Sequence, residues 1–339
     1  MKAFIYSPYL DSLGGGERYM MTVASVLSEA YEVDVYGDHN LKDVLQKRFG
    51  IDLSKVNFID TNSKGDGYDL SFWLSDGSIP LLHARNNFLH FQMPFRDVGG
   101  RSLLTKMKLI RVKKIVCNSN FTKYFIDDEF GIDSTVLYPP VDTKLFRPKR
   151  KENMILYVGR FSQLTQRKGQ DILIKAFGKL VKKGINDWNL VLAGGVEVGV
   201  DNLNVLKGLI DGLNVEIIES PSLIELKNLF GRSRFFWSAS GFGVDNTRSP
   251  QMVEHFGIAP VESMSAGCIP FLFNAGGHKE IVEDGSDGYL YNTIDELVEK
   301  SIKVINNKKL LTGLSSKAKI KSEQFSVDVF SSKLKEILL

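Results

Sequence analysis

The chain has 339 residues, of which 43% are hydrophobic and 24% charged, and its formal net charge is +3 at pH 7. This length suits two folded domains, and so small a charge gives no support for a nucleic-acid partner. Cys117 and Cys268 lie far apart without further Cys or His at ligand spacing, which argues against a disulfide framework or a zinc site. No run of about 18 apolar residues occurs. We therefore expect a cytoplasmic protein that touches a membrane, if at all, only at its inner face.

Strands and helices are predicted to alternate along the first part of the chain. "KAFIYSPY" has the pattern of a short strand, and "GGGERYMMTVASVLSEA" that of a glycine loop followed by an amphipathic helix. Strand "YEVDVYG" and helix "LKDVLQKRF" come next, and the alternation continues as far as "KKIVCNS". Such alternation predicts βαβ units around a parallel sheet that is covered on both faces.

A linker is predicted at "VLYPPVDTKLFRPKRKEN", where three prolines and a charge cluster interrupt the alternation. Strands and helices resume with "MILYVGR" and "QDILIKAFGKLVKKG" and continue to "IPFLFN". We expect two doubly wound Rossmann-like α/β domains, residues 1–148 and 149–322, that face a central cleft. The final helix, within residues 323–339, is expected to pack back on the first domain.

The first stretch that has the residues of a ligand-binding site is "GGGER", Gly14 to Arg18, at a strand-to-helix turn. Glycines at such a turn let a ligand approach the backbone, and the amino terminus of a helix favours an anion. A dinucleotide fingerprint also requires a third glycine, and Tyr19 occupies that position although Asp38 is suitably placed. A nucleotide-binding dehydrogenase is therefore a weaker hypothesis, and a turn needed only for packing is the structural alternative.

The second stretch, "YVGRFSQLTQRKGQDILIKAF", places Arg160 and Lys168 in one loop between a strand and a helix. At the carboxyl edge of a sheet, two cations suit a diphosphate, with Arg160 able to bind bidentately and Lys168 acting as a point charge. The Walker pattern is absent. The alternative is an ordinary solvated loop.

The third stretch is "MVEHFGIAPVESMSAG", where Glu254 precedes a predicted helix and Glu262 lies within it. The helix is expected to begin near Gly257 or Ile258, with Pro260 tolerated in its first turn. Carboxylates at this place can accept hydrogen bonds from vicinal hydroxyls, as on a ribose or hexose. The alternative is a capping glutamate plus a glutamate on the surface.

Taken together, these stretches resemble the retaining glycosyltransferases of family 4. "EHFGIAPVESMSAG" is similar to the E-x7-E signature of that family, and "GGGER", "VCNSNFT", "VLYPPVD", "RKGQDILIKAF", "LAGG" and "CIPFLFNAGGHKEIVEDGSDGYLY" follow in the expected order. The resemblance spans most of the chain. It implies the two-domain GT-B fold and transfer of a sugar from a nucleotide donor to a hydroxyl group with retention of configuration.

The resemblance also implies roles for individual residues. Arg160 and Lys168 match the cations that hold the nucleotide diphosphate, and Glu262 matches the glutamate that binds the ribose. Glu254 matches the glutamate that contacts the donor sugar, helped by the backbone at Phe256, Gly257 and Ile258. In the first domain, the residues implied near the donor are Gly15, Gly16 and His90. The sequence leaves the identity of the nucleobase open, and we expect its contacts at Gly194, Gly195 and the loop at residues 219–223.

Two departures from the family pattern lie near the expected sugar or acceptor site. Gln92 and Met93 separate the "HF" of "FLHFQMP" from Pro94, whereas relatives place proline two residues after the histidine. Ser238, in "WSASG", replaces a histidine that relatives often carry. Both departures leave the identity of the substrates open.

No metal or other cofactor is expected, because GT-B enzymes need no divalent ion and the sequence has no D-x-D triplet. The resemblance is strongest to the mannosyltransferase branch, so GDP-mannose is the first donor hypothesis. UDP-GlcNAc and UDP-glucose are alternatives, as is a non-catalytic subunit that binds a nucleotide-sugar. The expected acceptor is a glycan or a lipid-linked molecule.

The segment Arg101–Lys114 carries six cations and no acid, with apolar residues at helical spacing. Its ordinary interpretation is a helix whose apolar stripe packs inward while its charges are solvated. The alternative is a patch that docks on anionic lipid or on a lipid diphosphate acceptor.

The remaining candidate side chains are expected to be structural. His255 is expected to support or pack, while His39, His83 and His278 are expected in surface or loop positions. Trp237 and both cysteines are expected in the core.

Overall fold

A computed structural model describes residues 1–161, 166, 168–196 and 202–338. The chain divides into two compact units, one formed by Met1–Pro140 with Asp328–Leu339 and the other by Val141–Val327. The division at Pro140–Val141 falls inside the predicted linker. The sequence boundaries after residues 148 and 322 stay predictions about where each domain ends.

The first unit is built around a parallel sheet of seven strands in the order β3-β2-β1-β4-β5-β6-β7. From β3 to β6 this is the strand order of a Rossmann fold, 3-2-1-4-5-6. The order reverses between β1 and β4. The elements in chain order are β1 Lys2–Tyr6, α1 Gly15–Leu27, β2 Glu32–Tyr36, α2 Leu41–Phe49, β3 Val56–Ile59, β4 Leu70–Leu74, β5 Asn86–Phe91, α3 Leu103–Leu109, β6 Val112–Cys117, α4 Asn120–Phe130 and β7 Thr135–Val136.

The central strands of this sheet are apolar because both faces are covered. Every residue of β4, "LSFWL", is buried, as a strand between two layers requires. On one face lie α1 and the last helix of the chain, whose Phe330 meets Tyr19 edge to face at 5.1 Å. Leu334 and Leu338 of that helix belong to the same core. This face of the first unit is therefore completed by the carboxyl-terminal helix.

The second unit has a parallel sheet of six strands in the order β10-β9-β8-β11-β12-β13. Here too the order reverses, between β8 and β11. The elements in chain order are β8 Glu152–Val158, α5 Gln170–Lys182, β9 Asn189–Gly194, α6 Asn202–Leu209, β10 Val215–Glu219, α7 Leu223–Arg232, β11 Ser233–Ser238, α8 Ile258–Ser265, β12 Ile269–Phe273, α9 His278–Ile281, β13 Tyr289–Tyr291, α10 Ile294–Ile305 and α11 Lys308–Ser322. The chain then ends with α12 Val327–Leu338, which from Asp328 onward belongs to the first unit.

The structure bears on the expected fold and on which side chains are buried. The two parallel α/β units are confirmed, Trp237 is fully buried, and Cys117 and Cys268 are buried free thiols. The expectation for His278 was wrong, because its side chain has no exposed surface. No described helix is long and apolar enough to cross a bilayer.

The expectation that the apolar stripe of Arg101–Lys114 packs inward was also wrong. No side chain of α3 is buried, and the apolar residues of the stripe are among the most exposed in the described chain. Only Leu109 and Val112, which are outside the stripe, pack against the core of the first unit.

Candidate functional site

The centre of the candidate site in the second unit is an ion pair between Lys168 and Glu254. Lys168 Nζ lies 3.0 Å from Glu254 Oε2, and the two side chains are 13% and 20% exposed. Burial by itself raises the pKa of Glu254, but the nearby charge of Lys168 and its hydrogen bond outweigh this and lower the pKa to about 2. At neutral pH Glu254 is therefore an ionised hydrogen-bond acceptor held beside a cation.

Gln166 connects this ion pair to the backbone of the neighbouring loop. Its Oε1 accepts from Lys168 Nζ at 2.6 Å, and its Nε2 donates to the Val253 carbonyl at 3.0 Å. Lys168 thus uses two of its three ammonium donors on Gln166 and Glu254. Sequence reasoning missed Gln166, although it lies between the two cations of the predicted diphosphate loop.

Directly after Glu254 the chain turns into α8, as the sequence predicted. Gly257 caps the helix with φ 110° and ψ 82°, a left-handed conformation that favours glycine. The helix begins at Ile258, and Pro260 lies in its first turn, where the missing N–H has no consequence. Phe256, immediately before the cap, is 2% exposed and packs edge to face on Phe325. The start of α8 therefore offers free backbone N–H groups and a favourable dipole to an anion.

Glu262 lies inside α8 and is 9% exposed. The alternative of a capping glutamate plus a surface glutamate is therefore wrong for Glu262. A carboxylate in so enclosed a place needs hydrogen-bond donors.

A second pair of loops meets beside this centre, at the carboxyl ends of β8 and β9. A Cβ atom added to Gly194 would lie 1.8 Å from the Gly159 carbonyl oxygen, so only glycine fits there. Phe161 N donates to the Gly195 carbonyl at 3.0 Å, while a Cβ added to Gly195 would meet nothing within 4 Å. Arg160, which is exposed, is thereby fixed next to Gly194 and Gly195.

The Tyr157 hydroxyl lies against the turn at Gly159, where an added Cβ would be 2.3 Å from it. Burial raises the pKa of Tyr157, the Glu254 carboxylate raises it further, and the Arg160 guanidinium opposes the rise. Gln170 then holds the loop by donating to the Arg160 carbonyl at 2.9 Å. The structure thus brings Arg160, Gly194 and Gly195 together at the ends of β8 and β9, and it brings Lys168 and Glu254 into contact. Phe256, Gly257 and Ile258 follow Glu254 directly, and Glu262 lies further along, inside α8.

In the first unit, Gly15 and Gly16 open α1 as predicted. Glu17 accepts from Gly14 N at 2.7 Å, and Gln92 Nε2 donates to the Gly16 carbonyl at 3.2 Å. A Cβ added to Gly16 would lie 2.3 Å from Gln92 Oε1. Gln92, noted in the sequence only as a departure from the family pattern, therefore packs directly on the glycine loop.

His90 lies in the core of the first unit. Its ring stacks on Tyr19 with centroids 4.1 Å apart, and its Nδ1 donates to the Val116 carbonyl at 3.0 Å. The buried Nε2 has no hydrogen-bond partner among the described residues. Burial lowers the pKa of His90 to about 3, although the Val116 carbonyl opposes this. The imidazole is therefore neutral at physiological pH.

The second departure from the family pattern, Ser238, has a histidine as its neighbour. Ser238 Oγ lies 3.4 Å from His278 Nε2, and His278 Nδ1 lies 3.0 Å from the Phe273 carbonyl. Burial lowers the pKa of His278, which keeps the imidazole neutral. His255 is also buried, with Nε2 3.2 Å from the Gln251 carbonyl, consistent with the supporting position expected for it.

Comparison with known proteins identifies the family. The sequence profile described as Glycosyl transferases group 1 matches residues 142–321. The chain belongs to this family. It is therefore a glycosyltransferase, and the dehydrogenase hypothesis is wrong.

Individual relatives are similar at low identity. An uncharacterized glycosyltransferase of Haemophilus influenzae is 28% identical, and the alignment covers 97% of each chain. The GDP-Man:Man(3)GlcNAc(2)-PP-Dol alpha-1,2-mannosyltransferase of Dictyostelium discoideum is also 28% identical, over 65% of this chain and 45% of the relative.

Solved structures establish the fold over nearly the whole chain. HepE of Anabaena, in complex with UDP and glucose, has a TM-score of 0.76 at 20% identity, with 99% of both chains covered. Sucrose-phosphate synthase of Thermosynechococcus elongatus has a TM-score of 0.71 at 13% identity, with 99% and 98% covered. The chain thus has the GT-B fold that its motifs predicted.

Proposed function

We propose that this glycosyltransferase moves a hexose from a nucleotide-sugar to a hydroxyl group of a glycan or lipid-linked acceptor, with retention of configuration. Mannose from GDP-mannose is the first choice of donor. The observation that supports this most is the contact between Lys168 and Glu254 directly before the amino terminus of α8. It places a cation beside an ionised acceptor, and that acceptor lies four residues before Ile258, the first residue of the helix.

The proposed roles follow from the chemistry of each group. The exposed Arg160 binds the diphosphate, and Lys168 turns its third ammonium donor to a phosphate oxygen while Gln166 and Glu254 hold the other two. Charge that develops on the leaving diphosphate is then stabilised by groups already in position. No step of this proposal requires a metal ion.

The donor's hydroxyl groups are assigned to the two glutamates. Glu254 accepts from the sugar, beside the backbone of Phe256, Gly257 and Ile258, and Glu262 accepts from the ribose. Gly194 and Gly195 leave space for the nucleobase at the end of β9. In the first unit, Gly15 and Gly16 approach the phosphate and sugar of the donor, and His90, which stacks on Tyr19 in α1, is the catalytic histidine assigned to the neighbourhood of the donor sugar.

The choice of donor can be tested by thermal-shift measurements with GDP, UDP, ADP and NAD in the presence of a chelator. Stabilisation by GDP above the other nucleotides supports a mannosyl donor, and stabilisation by UDP favours UDP-glucose or UDP-GlcNAc. Stabilisation by NAD alone would overturn the proposal. Turnover of GDP-mannose, UDP-glucose and UDP-GlcNAc completes the test, since binding without turnover would indicate a non-catalytic subunit.

The finer predictions from sequence also remain proposals. They are a cytoplasmic location and a role in building polysaccharide or lipid-linked glycan.

A further inference from the structure

The helix α3 turns an apolar face to solvent. Its seven residues, Leu103–Leu109, include none that is buried. The exposed fractions along its stripe are 77% for Leu103, 63% for Leu104, 59% for Met107 and 82% for Ile110. These positions share one face of a helix, so the apolar surface is continuous. Large apolar patches of this kind mark a surface that binds something apolar.

The loop before α3 is firmly attached to the first unit. The Glu129 carboxylate accepts from the backbone N–H groups of Asp97 at 2.8 Å, Val98 at 3.1 Å and Gly100 at 2.8 Å. A Cβ added to Gly100 would lie 2.6 Å from the Glu129 carbonyl oxygen. The chain therefore reaches α3 along a fixed path.

Arginine side chains fix the segment on both sides of the helix. Arg101 donates twice to the Asp128 carbonyl, at 3.1 and 2.6 Å. Arg111 Nε donates to the Leu82 carbonyl at 2.7 Å. Because both flanks are held, the exposure of the apolar stripe is a property of the folded unit.

Cations lie before, within and after the stripe in sequence, and Arg101 is paired with Asp128 at 3.6 Å. The segment Arg101–Lys114 has six cations and no acid. Lys106, Arg111, Lys113 and Lys114 are all exposed. An exposed apolar face with lysine and arginine at its borders is the pattern of a helix that lies in a membrane interface.

We propose that α3 docks this glycosyltransferase on a bilayer surface that contains anionic lipid. Leu103, Leu104, Met107 and Ile110 enter the boundary between headgroups and acyl chains. The flanking cations bind headgroup phosphates. The proposal adds a device for membrane contact and does not depend on the identity of the donor.

A second copy of the chain is a less suitable occupant. A symmetric dimer would place the same patch on both subunits, so like charges would face one another. A single helix of seven residues also offers far less than the roughly 800 Å² per partner that a stable protein interface buries. A bilayer requires neither opposite charges on the protein nor a large rigid interface.

Tryptophan fluorescence gives a direct measurement of insertion. The native residues Trp73, Trp188 and Trp237 are all buried, so a tryptophan placed at an exposed position reports its own surroundings. We expect Ile110→Trp to show a blue shift with vesicles of phosphatidylcholine and phosphatidylglycerol, and none with phosphatidylcholine alone. The matched control is Ile224→Trp, at a position 73% exposed in the second unit, which should show no shift with either.

Co-sedimentation with the same vesicles separates the apolar from the charged contribution. Leu103→Ser with Ile110→Ser should reduce binding about tenfold or more, because the inserted surface is lost. Lys106→Ala with Lys114→Ala should reduce it about tenfold at low salt and much less at high salt. Ile224→Ser with Ile320→Ser, and Lys308→Ala with Lys309→Ala, are the matched controls.

The affected residues are exposed, so urea unfolding should be nearly unchanged in every variant. Equal binding of the wild-type chain to neutral and anionic vesicles would overturn the proposal. So would a dimer, seen by size exclusion without lipid, that Leu103→Ser with Ile110→Ser abolishes.

Discussion

The candidate residues of the two units differ in the state of their polar groups. In the second unit Lys168 and Glu254 are charged, partly accessible and in contact with each other. In the first unit His90 is fully buried and neutral, while Gly16 contributes only its backbone and the space left by its missing side chain. The second unit therefore has charged side chains that can bind a ligand, whereas the first has only backbone and the space beside a glycine. Mutation of the charged pair in the second unit should accordingly affect catalysis, whereas mutation of His90 in the first unit should affect stability.

The largest expected effect is on turnover, in the second unit. Lys168→Ala or Glu254→Ala should lower kcat about 100- to 1000-fold, because each removes a charge fixed near the reacting diphosphate or sugar. Glu254→Ala should leave the Kd for bare nucleotide within about threefold, since its proposed client is the sugar. Steady-state kinetics and calorimetry measure the two quantities.

Lys175→Ala is the matched control for a lysine in this region. It breaks only a surface ion pair with Asp171 at 3.3 Å, for which about 0–0.5 kcal/mol and no change in kcat are expected. If Lys175→Ala and Lys168→Ala lowered kcat equally, the charged centre would be misplaced.

Next in size is a comparison of adjacent glycines within the second unit. Gly194→Ala places a methyl group against the Gly159 carbonyl, a backbone atom that no rotamer change can move. We expect a loss of about 3 kcal/mol or more in the free energy of unfolding. Gly195→Ala, in open space, should change it by less than about 1 kcal/mol. Urea unfolding of both variants checks this, and equal midpoints would contradict the close approach of β8 and β9.

The third prediction separates the units by pH. The pKa of His90 is about 3 in the folded chain and 6.5 when unfolded, so its stabilising effect is complete above pH 6.5 and declines as the pH falls toward 3. Glu254, with a pKa of about 2 when folded and 4.5 when unfolded, loses its effect only between pH 4.5 and 2. Between pH 6.5 and 4.5 the titration of His90 therefore changes the free energy of unfolding, while that of Glu254 does not.

His90→Phe should accordingly remove about 2–3 kcal/mol of the loss in unfolding free energy between pH 6.5 and 4.5. Part of the loss should remain, because burial also lowers the pKa of His278. Urea unfolding at a series of pH values measures the slope. An unchanged slope in His90→Phe would show that the histidine is hydrated and accessible, which would move it from the core toward the ligand.

The smallest expected effect distinguishes the two acids of the second unit. Glu262→Ala should weaken binding of bare nucleotide by about 1–3 kcal/mol, because the ribose hydroxyls lose their acceptor. Glu254→Ala should leave that binding almost unchanged. Calorimetric titration with the preferred diphosphate tests this, and an equal loss in both variants would contradict separate clients for the two glutamates.

Much of the fold was readable from local patterns. Apolar runs such as "LSFWL" and glycine-punctuated helices predicted parallel α/β units, because a strand buried on both faces has to be apolar throughout. The helix start at Gly257 and Ile258 also followed from local sequence, since the Gly and Pro positions suit a helix amino terminus.

Other features were inaccessible because they depend on contacts between distant segments. His278 has the sequence context of a loop, yet Phe273 and Ser238 enclose it. The stripe of α3 has the pattern of a buried face, and it is exposed because both flanks of the helix are attached to other segments. Gln166 was overlooked because its partner Val253 is far away in the chain.

Periodicity and motifs in order are enough to predict the fold class, the family resemblance and the residue types of the site. Which of these groups carry charge depends on tertiary contacts. Burial keeps His90 neutral, and contact with Lys168 keeps Glu254 ionised. The residues next to them in sequence do not predict either protonation state. A pKa depends on solvent and on charges within a few ångströms, and folding alone brings those together.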